Sequence, residues 1–113
     1  MSESEKKPTS FKVLIIDDEY GMRAMVRWML QQHFPEVQIE EADEGFAAGW
    51  KAHEIQPHLV ILDLMLPGLD GYKVCQIIRS FEELKDTKIL AMSGLQTAEV
   101  QTKILQFGAN DFI

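Results

Sequence analysis

Residues 13–19 read VLIIDDE. Val13 to Ile16 are the kind of residues that fill a strand buried on both faces. They run directly into Asp17, Asp18 and Glu19. Three like charges at the mouth of a buried strand repel one another, and desolvation sharpens the repulsion. The acids must therefore reach water or share a compensating charge. A second apolar run meets an acid in the same way at residues 59–63, LVILD, where Asp63 follows immediately. These two junctions decide the reading of the chain.

Outward from them, strand and helix patterns alternate. Phe11–Ile16 is a short strand-forming run. Gly21–Gln32 carries apolar residues at Met22, Met25, Val26 and Met29, a helical spacing. Val37–Ala42 is a weaker strand, and Glu44–Ile55 a helix with Asp43 as its expected N-cap and Pro57 beyond its end. His58–Leu62 is a strand, followed by the loop PGLDG. Tyr72–Phe81 is a helix with Val74, Ile77, Ile78 and Phe81 on one side, and Lys88–Met92 is a fourth strand. Thr97–Phe107 is a helix stopped by Gly108, and Asp111–Ile113 begins a fifth strand. Residues 1–10, MSESEKKPTS, are polar and expected to fray. The βαβ rhythm with apolar strands predicts an α/β domain: a doubly wound, five-stranded parallel sheet with helices on both faces. Such sheets place function at the carboxyl ends of their strands, where the strand order reverses.

If the first and third strands are neighbours, Asp17, Asp18 and Asp63 meet at one sheet edge. A cluster of carboxylate oxygens suits a hard cation such as Mg²⁺, which would relieve their repulsion. Ser93, at the end of the fourth strand in ILAMSG, offers a hydroxyl to an anion held by that metal. Gly94 is expected to leave room for the anion's approach. Carboxylate, divalent metal and hydroxyl together point to phosphoryl chemistry with an Asp as nucleophile.

Bulk composition narrows the alternatives. The chain has 113 residues, enough for one domain, and 46% are hydrophobic, so a core is available. A net charge of −7 argues against nucleic-acid binding by this domain. One cysteine, Cys75, forbids an internal disulfide and fits a reducing compartment. The N-terminus lacks the apolar centre of a signal peptide, and no apolar run approaches the ~20 residues that cross a membrane. The expectation is a cytoplasmic domain with no membrane contact.

The motifs VLIIDDEYGMR, LVILDLMLPGLDGY, ILAMSG and GANDFI occur in this order. Together they resemble the receiver domain of bacterial response regulators over residues 11–113. The resemblance implies strand order 2-1-3-4-5. It implies that Asp63 takes a phosphoryl group from a phosphohistidine on a sensor histidine kinase or phosphotransfer protein. Asp18 would ligate Mg²⁺ directly and Asp17 through water, with Asp63 and the backbone carbonyl of Met65 completing the protein ligands. Ser93 corresponds to the switch hydroxyl and Phe112 to the switch aromatic, a position where the family often has Tyr. The family's final strand continues to a Lys-Pro pair, which would lie two residues beyond Ile113, and then to a fifth helix. The chain thus reads as a fragment whose last strand is cut short. Apolar surface under the missing helix would be exposed, inviting a homodimer or strand-exchanged dimer.

Single residues admit plainer readings. Asp17 and Asp18 alone would be a solvated loop, Asp63 alone a turn former and Ser93 alone a capping hydroxyl; their order together carries the functional reading. Glu19 is as readily a solvated neighbour as a metal-proximal group. Pro67 and Gly71 shape the loop. His33, His53 and His58 do not cluster with Cys75 and are read, like it, as surface or packing residues. Trp28 and Trp50 lie off their core stripes. Partial burial against neighbours is their expected state, and a partner surface the alternative; in the family the first helix commonly docks the kinase, which singles out Trp28. Apolar Met65 and Leu95 beside the site suggest slow hydrolysis of an acyl phosphate. The competing functions are a phosphorylation-independent interaction domain and an aspartyl-phosphate phosphatase. The usual phosphatase layout has Asp-x-Asp after the first strand, and this chain has Asp17-Asp18-Glu19. A flavin- or nucleotide-binding protein of similar topology would need a Gly-rich loop after the first strand, which is lacking.

Overall fold

Strands and helices alternate along the chain in a computed structural model that describes residues 11–66, 69–94 and 97–113. The strands are β1 (Lys12–Ile16), β2 (Gln38–Ala42), β3 (Leu59–Asp63), β4 (Lys88–Met92) and β5 (Asp111–Phe112). The helices are α1 (Tyr20–His33), α2 (Gly45–Ile55), α3 (Gly71–Ser80) and α4 (Ala98–Gln106), with a 3-10 turn at Glu82–Leu84. All strand pairs are parallel, in the order β2-β1-β3-β4-β5. The expected doubly wound sheet is present, β5 is short, and no helix follows it within the 113 residues. The polar segment 1–10, Pro67 and Leu95 lie outside the described residues.

Alternation along the strands sorts side chains between the two faces. Leu14, Ile16, Val60, Leu62, Ile89 and Ala91 join one core with Ala48 and Ala52 of α2, Val74, Cys75 and Ile78 of α3, and Ile104 of α4. Val13, Ile15 and Ile61 point the other way, where Val26 and Leu30 of α1 pack on them. Ile77 faces α2, so close to Gly49 that a Cβ there would lie 3.0 Å from its methyl group.

Local chemistry sets the helix ends. Glu44, and not Asp43, caps α2: its carboxylate accepts the Ala47 N–H at 3.0 Å. The helix opens at Gly45, one residue later than expected, and the capping position moves with it. At the other end Gln56 turns left-handed (φ 49°) ahead of Pro57. Asp70 caps α3 and Thr97 caps α4 through their side chains. Gly108, at φ 114°, makes the turn into β5, a conformation that side-chain-bearing residues rarely adopt. Arg79 straps this corner, donating to the carbonyls of Gly108 and Leu84 and to Asn110 Oδ1.

Two expectations about α1 and α2 need correction. Of the expected stripe of α1, Val26 packs on the sheet with Leu30, one i, i+4 ridge, while Met25 and Met29 lie beside that ridge and are half exposed. Trp28 and Trp50 are 61% and 71% exposed, so neither has the expected partial cover. The histidines do pack as read: His53 stacks on Phe81, and His58 on Phe11. Cys75 is fully buried.

Candidate metal centre

The pairing of β1 with β3 aligns Ile16 with Leu62, which brings the residues that follow each strand to one edge. Asp17, Asp18 and Asp63 each place a carboxylate oxygen there, all within 4.8 Å of one another. Of the two expected sources of relief for their repulsion, water reaches Asp18, which is exposed, and hardly reaches Asp17, which is 3% exposed. Burial pushes the Asp17 carboxyl above the ordinary carboxylate range; the Glu19 N–H bond opposes this, and the charges of Asp63, Asp18 and Glu19 add to it. The set is oxygen-only, negative and crowded, which fits a hard divalent cation.

Short hydrogen bonds shape the acids. Glu19 N–H donates to Asp17 Oδ1 at 2.8 Å, folding the corner between β1 and α1. Asp17 N–H donates to the Ala42 carbonyl of β2 at 3.1 Å. Met65 N–H donates to Asp63 Oδ1 at 2.9 Å, while the Met65 side chain is exposed. Gly71 closes the loop after Asp63: its N–H donates to the Leu64 carbonyl, and a Cβ at 71 would fall 2.5 Å from Leu64 Cα and 2.8 Å from the Asp63 carbonyl oxygen. The loop-shaping role read for Gly71 therefore has a steric cause.

An open cleft of about 370 Å³ lies over the acids, lined by Asp17, Glu19, Met22, Asp63, Met92, Ser93, Gly94 and Ile113. Ser93 is thus on the same cleft as Asp63, as its position after β4 suggested. Glu19 also lines the cleft. A Cβ at Gly94 would meet no protein atom within 4 Å, so the cleft is open at this position. Phe112 sits opposite Ala91 in the sheet and is half-buried against the larger core. The sequence reading missed Arg23, which donates from Nη1 to the Asp17 carbonyl and from Nε to Glu41, both at 2.8 Å. The available signal was basic residues at an i, i+4 spacing, Arg23 and Arg27, facing an acid on an otherwise apolar-alternating strand.

A parallel α/β fold with a carboxylate cluster at its strand-order switch defines a recognisable class. The profile of the response regulator receiver domain matches residues 13–113. The DNA-binding dual master transcriptional regulator RpaA of Synechocystis is 36% identical over 104 residues, covering 90% of this chain and 42% of that protein. The transcriptional regulatory protein ResD of Bacillus subtilis is 34% identical over 102 residues, covering 90% of this chain and 40% of that protein. The crystal structure of the signal receiver domain of a DNA-binding response regulator (merR) from Colwellia psychrerythraea superposes with a TM-score of 0.86 at 33% identity, covering 92% of this chain and 85% of that one. The chain belongs to the response regulator receiver domain family, a family of signalling domains. It spans about two-fifths of the length of the two regulators it matches. Among the described residues, no helix is long and apolar enough to cross a membrane.

Proposed function

We propose that Asp63 is the phosphoacceptor of a two-component signalling pathway. The observation that carries this is its place: the last residue of β3, beside Asp17 and Asp18, facing the cleft that Ser93 lines. An Asp63 carboxylate oxygen attacks the phosphorus of a phosphohistidine on a sensor histidine kinase or phosphotransfer protein. The O–P bond of an acyl phosphate forms as the N–P bond breaks, and the imidazole leaves. Asp17, Asp18, Asp63 and the Met65 carbonyl would hold Mg²⁺, which when bound offsets the charge on the phosphoryl oxygens. Met65 N–H orients the attacking carboxylate through Oδ1.

The added charge then biases the molecule between two arrangements. Ser93, across the cleft, donates its hydroxyl to the phosphoryl group, and Phe112 beyond it repacks. The domain acts stoichiometrically as a signalling element in the cytoplasm, not as a turnover enzyme. Exposed Trp28 on α1 is the anchor offered to the kinase. Transcriptional control is the output that the names of the matched regulators suggest. The apolar surroundings that Met65 helps to supply disfavour attack by water, so the acyl phosphate decays slowly.

Intact mass after incubation with acetyl phosphate or phosphoramidate tests the reading. One phosphoryl group should be added with Mg²⁺ and lost without it, or in Asp63→Ala. Labelling of Asp63→Ala, or labelling independent of Mg²⁺, refutes it.

A further inference from the structure

Arg23 and Glu41 take no part in the chemistry above, yet they meet the metal centre from behind. Arg23 comes from the first turns of α1, and its side chain is only 13% exposed. Nη1 donates to the Asp17 carbonyl oxygen at 2.8 Å, and Nε to Glu41 Oε1 at 2.8 Å. The second Glu41 oxygen accepts from Arg27 Nε at 2.6 Å. Arg27 makes its other bond to the Ile39 carbonyl of β2, away from the acids. One carboxylate on β2 thus orients two guanidinium groups, and only one of them touches the acidic corner.

The acceptor that Arg23 uses is informative. The Asp17 carbonyl belongs to the planar peptide that joins Asp17 to Asp18. Fixing that plane places the Cα atoms of both acids and restrains the Asp17 ψ and Asp18 φ on which their side-chain directions depend. The Asp17 N–H is already held by Ala42 on β2, so Arg23 supplies the restraint on the opposite side. A guanidinium is suited to this because its donors lie in one rigid plane, and a bond at Nε sets the aim of Nη1.

We propose that Arg23, aimed by Glu41, is a positioning residue that holds the Asp17–Asp18 corner in the shape that ligates the divalent cation. This rests on the reading that the carboxylate cluster binds Mg²⁺. Charge alone makes the opposite prediction. A guanidinium close to a cation site repels the cation, so deleting it would tighten binding if electrostatics decided the matter. If positioning decides it, deleting Arg23 weakens binding, and the sign separates the two. Arg27 is the control, because its loss breaks the other ion pair of Glu41 without touching the corner.

The test is calorimetric titration of the 113-residue chain with Mg²⁺, alongside urea unfolding. The proteins are wild type, Arg23→Met, Arg23→Lys, Arg27→Met and Asp63→Ala. Arg23→Met should bind Mg²⁺ about tenfold more weakly. Arg23→Lys, which keeps the charge but not the two-pronged geometry, should fall between it and wild type. Arg27→Met should lose stability with Mg²⁺ affinity unchanged. An Arg23→Met protein that binds Mg²⁺ as tightly as wild type, or more tightly, overturns the inference, as does an equal loss in Arg27→Met. If Arg23→Met does not fold, Arg23→Lys decides alone: weakened binding supports the inference and unchanged binding overturns it. A wild-type chain that binds no Mg²⁺ overturns the metal-centre reading and this inference together. Binding that Asp63→Ala weakens but Arg23→Met does not would leave that reading standing and remove only the inference.

Discussion

On one face of the sheet α2, α3 and α4 close over Leu14, Ile16, Val60, Leu62, Ile89 and Ala91, with Cys75 and Ile78 fully buried beneath them. On the other face α1 is the one helix, among the described residues, over Val13, Ile15 and Ile61, and no residue of α1 is itself buried. Beside α1 an apolar groove of about 250 Å³ stays open, with Leu30, Leu90, Met92 and Ile113 in its lining. The same strands, read at alternate residues, thus supply a dry interior on one side and a half-covered surface on the other. A sheet of evenly apolar strands does not ensure an evenly covered core; the number of helices on each face does.

The largest contrast should appear in thiol chemistry. Burial pushes the Cys75 thiol up to about 11. Native protein at neutral pH should therefore react with an aromatic disulfide reagent at least about a hundredfold more slowly than urea-unfolded protein. Rapid native labelling would show that the α2–α3 side opens readily. Truncations come next. Leu62→Ala should cost about 3 kcal/mol in urea unfolding, and Leu30→Ala on the α1 side only about 1 kcal/mol. Equal losses would mean that the two faces are equally well packed.

The open groove predicts a third, smaller effect: the 113-residue chain should self-associate as its concentration rises in sedimentation experiments. Replacing half-exposed Met29 and exposed Ile113 with charge, as Met29→Lys with Ile113→Asp, should keep it monomeric. A wild-type chain that stays monomeric at every concentration would show that water tolerates this face.

The smallest effect is electrostatic, where α1 meets β2. Burial works to raise the Glu41 carboxyl, but hydrogen bonds from Arg27 and Arg23 outweigh it and hold the group below its ordinary value. A depressed carboxyl stabilises the fold above its unfolded-state pKa, and that contribution is lost as pH falls through the folded value. Unfolding midpoints compared between neutral and acidic pH should show wild type losing about 1 kcal/mol more than Glu41→Gln. Asp17 has the opposite sign. Its raised carboxyl favours the protonated folded state, so its contribution diminishes stability as pH rises above the ordinary carboxylate range.

Much of this was legible in the chain. Strand positions and the parallel class followed from apolar runs, because strand periodicity acts locally. The convergence of Asp17, Asp18 and Asp63 needed the first and third strands to be neighbours, an order that only the resemblance to receiver domains supplied. What escaped depended on how elements lie against one another. The inward ridge of α1 is Val26 and Leu30 because the sheet beneath selects it, and no helical spacing distinguishes that ridge from the Met25 and Met29 beside it. Trp28 and Trp50 are exposed because no described element covers them, a fact of packing and not of pattern. The bond from Arg23 to the Asp17 carbonyl engages backbone, which a list of acidic and basic residues does not count.

The glycine contact behind Asp63 has a mechanical consequence. Since a Cβ at position 71 would overlap the backbone of Asp63 and Leu64, the start of α3 already rests against that strand end at the limit of atomic contact. On that side the Asp63–Leu64 backbone has a hard stop. On the other side Asp63 and Ser93 both line an open cleft. A group added to the Asp63 carboxylate would therefore be accommodated on the cleft side, which Ser93 lines. The fold works there as a wall with one open side: closed at the back and open at the front.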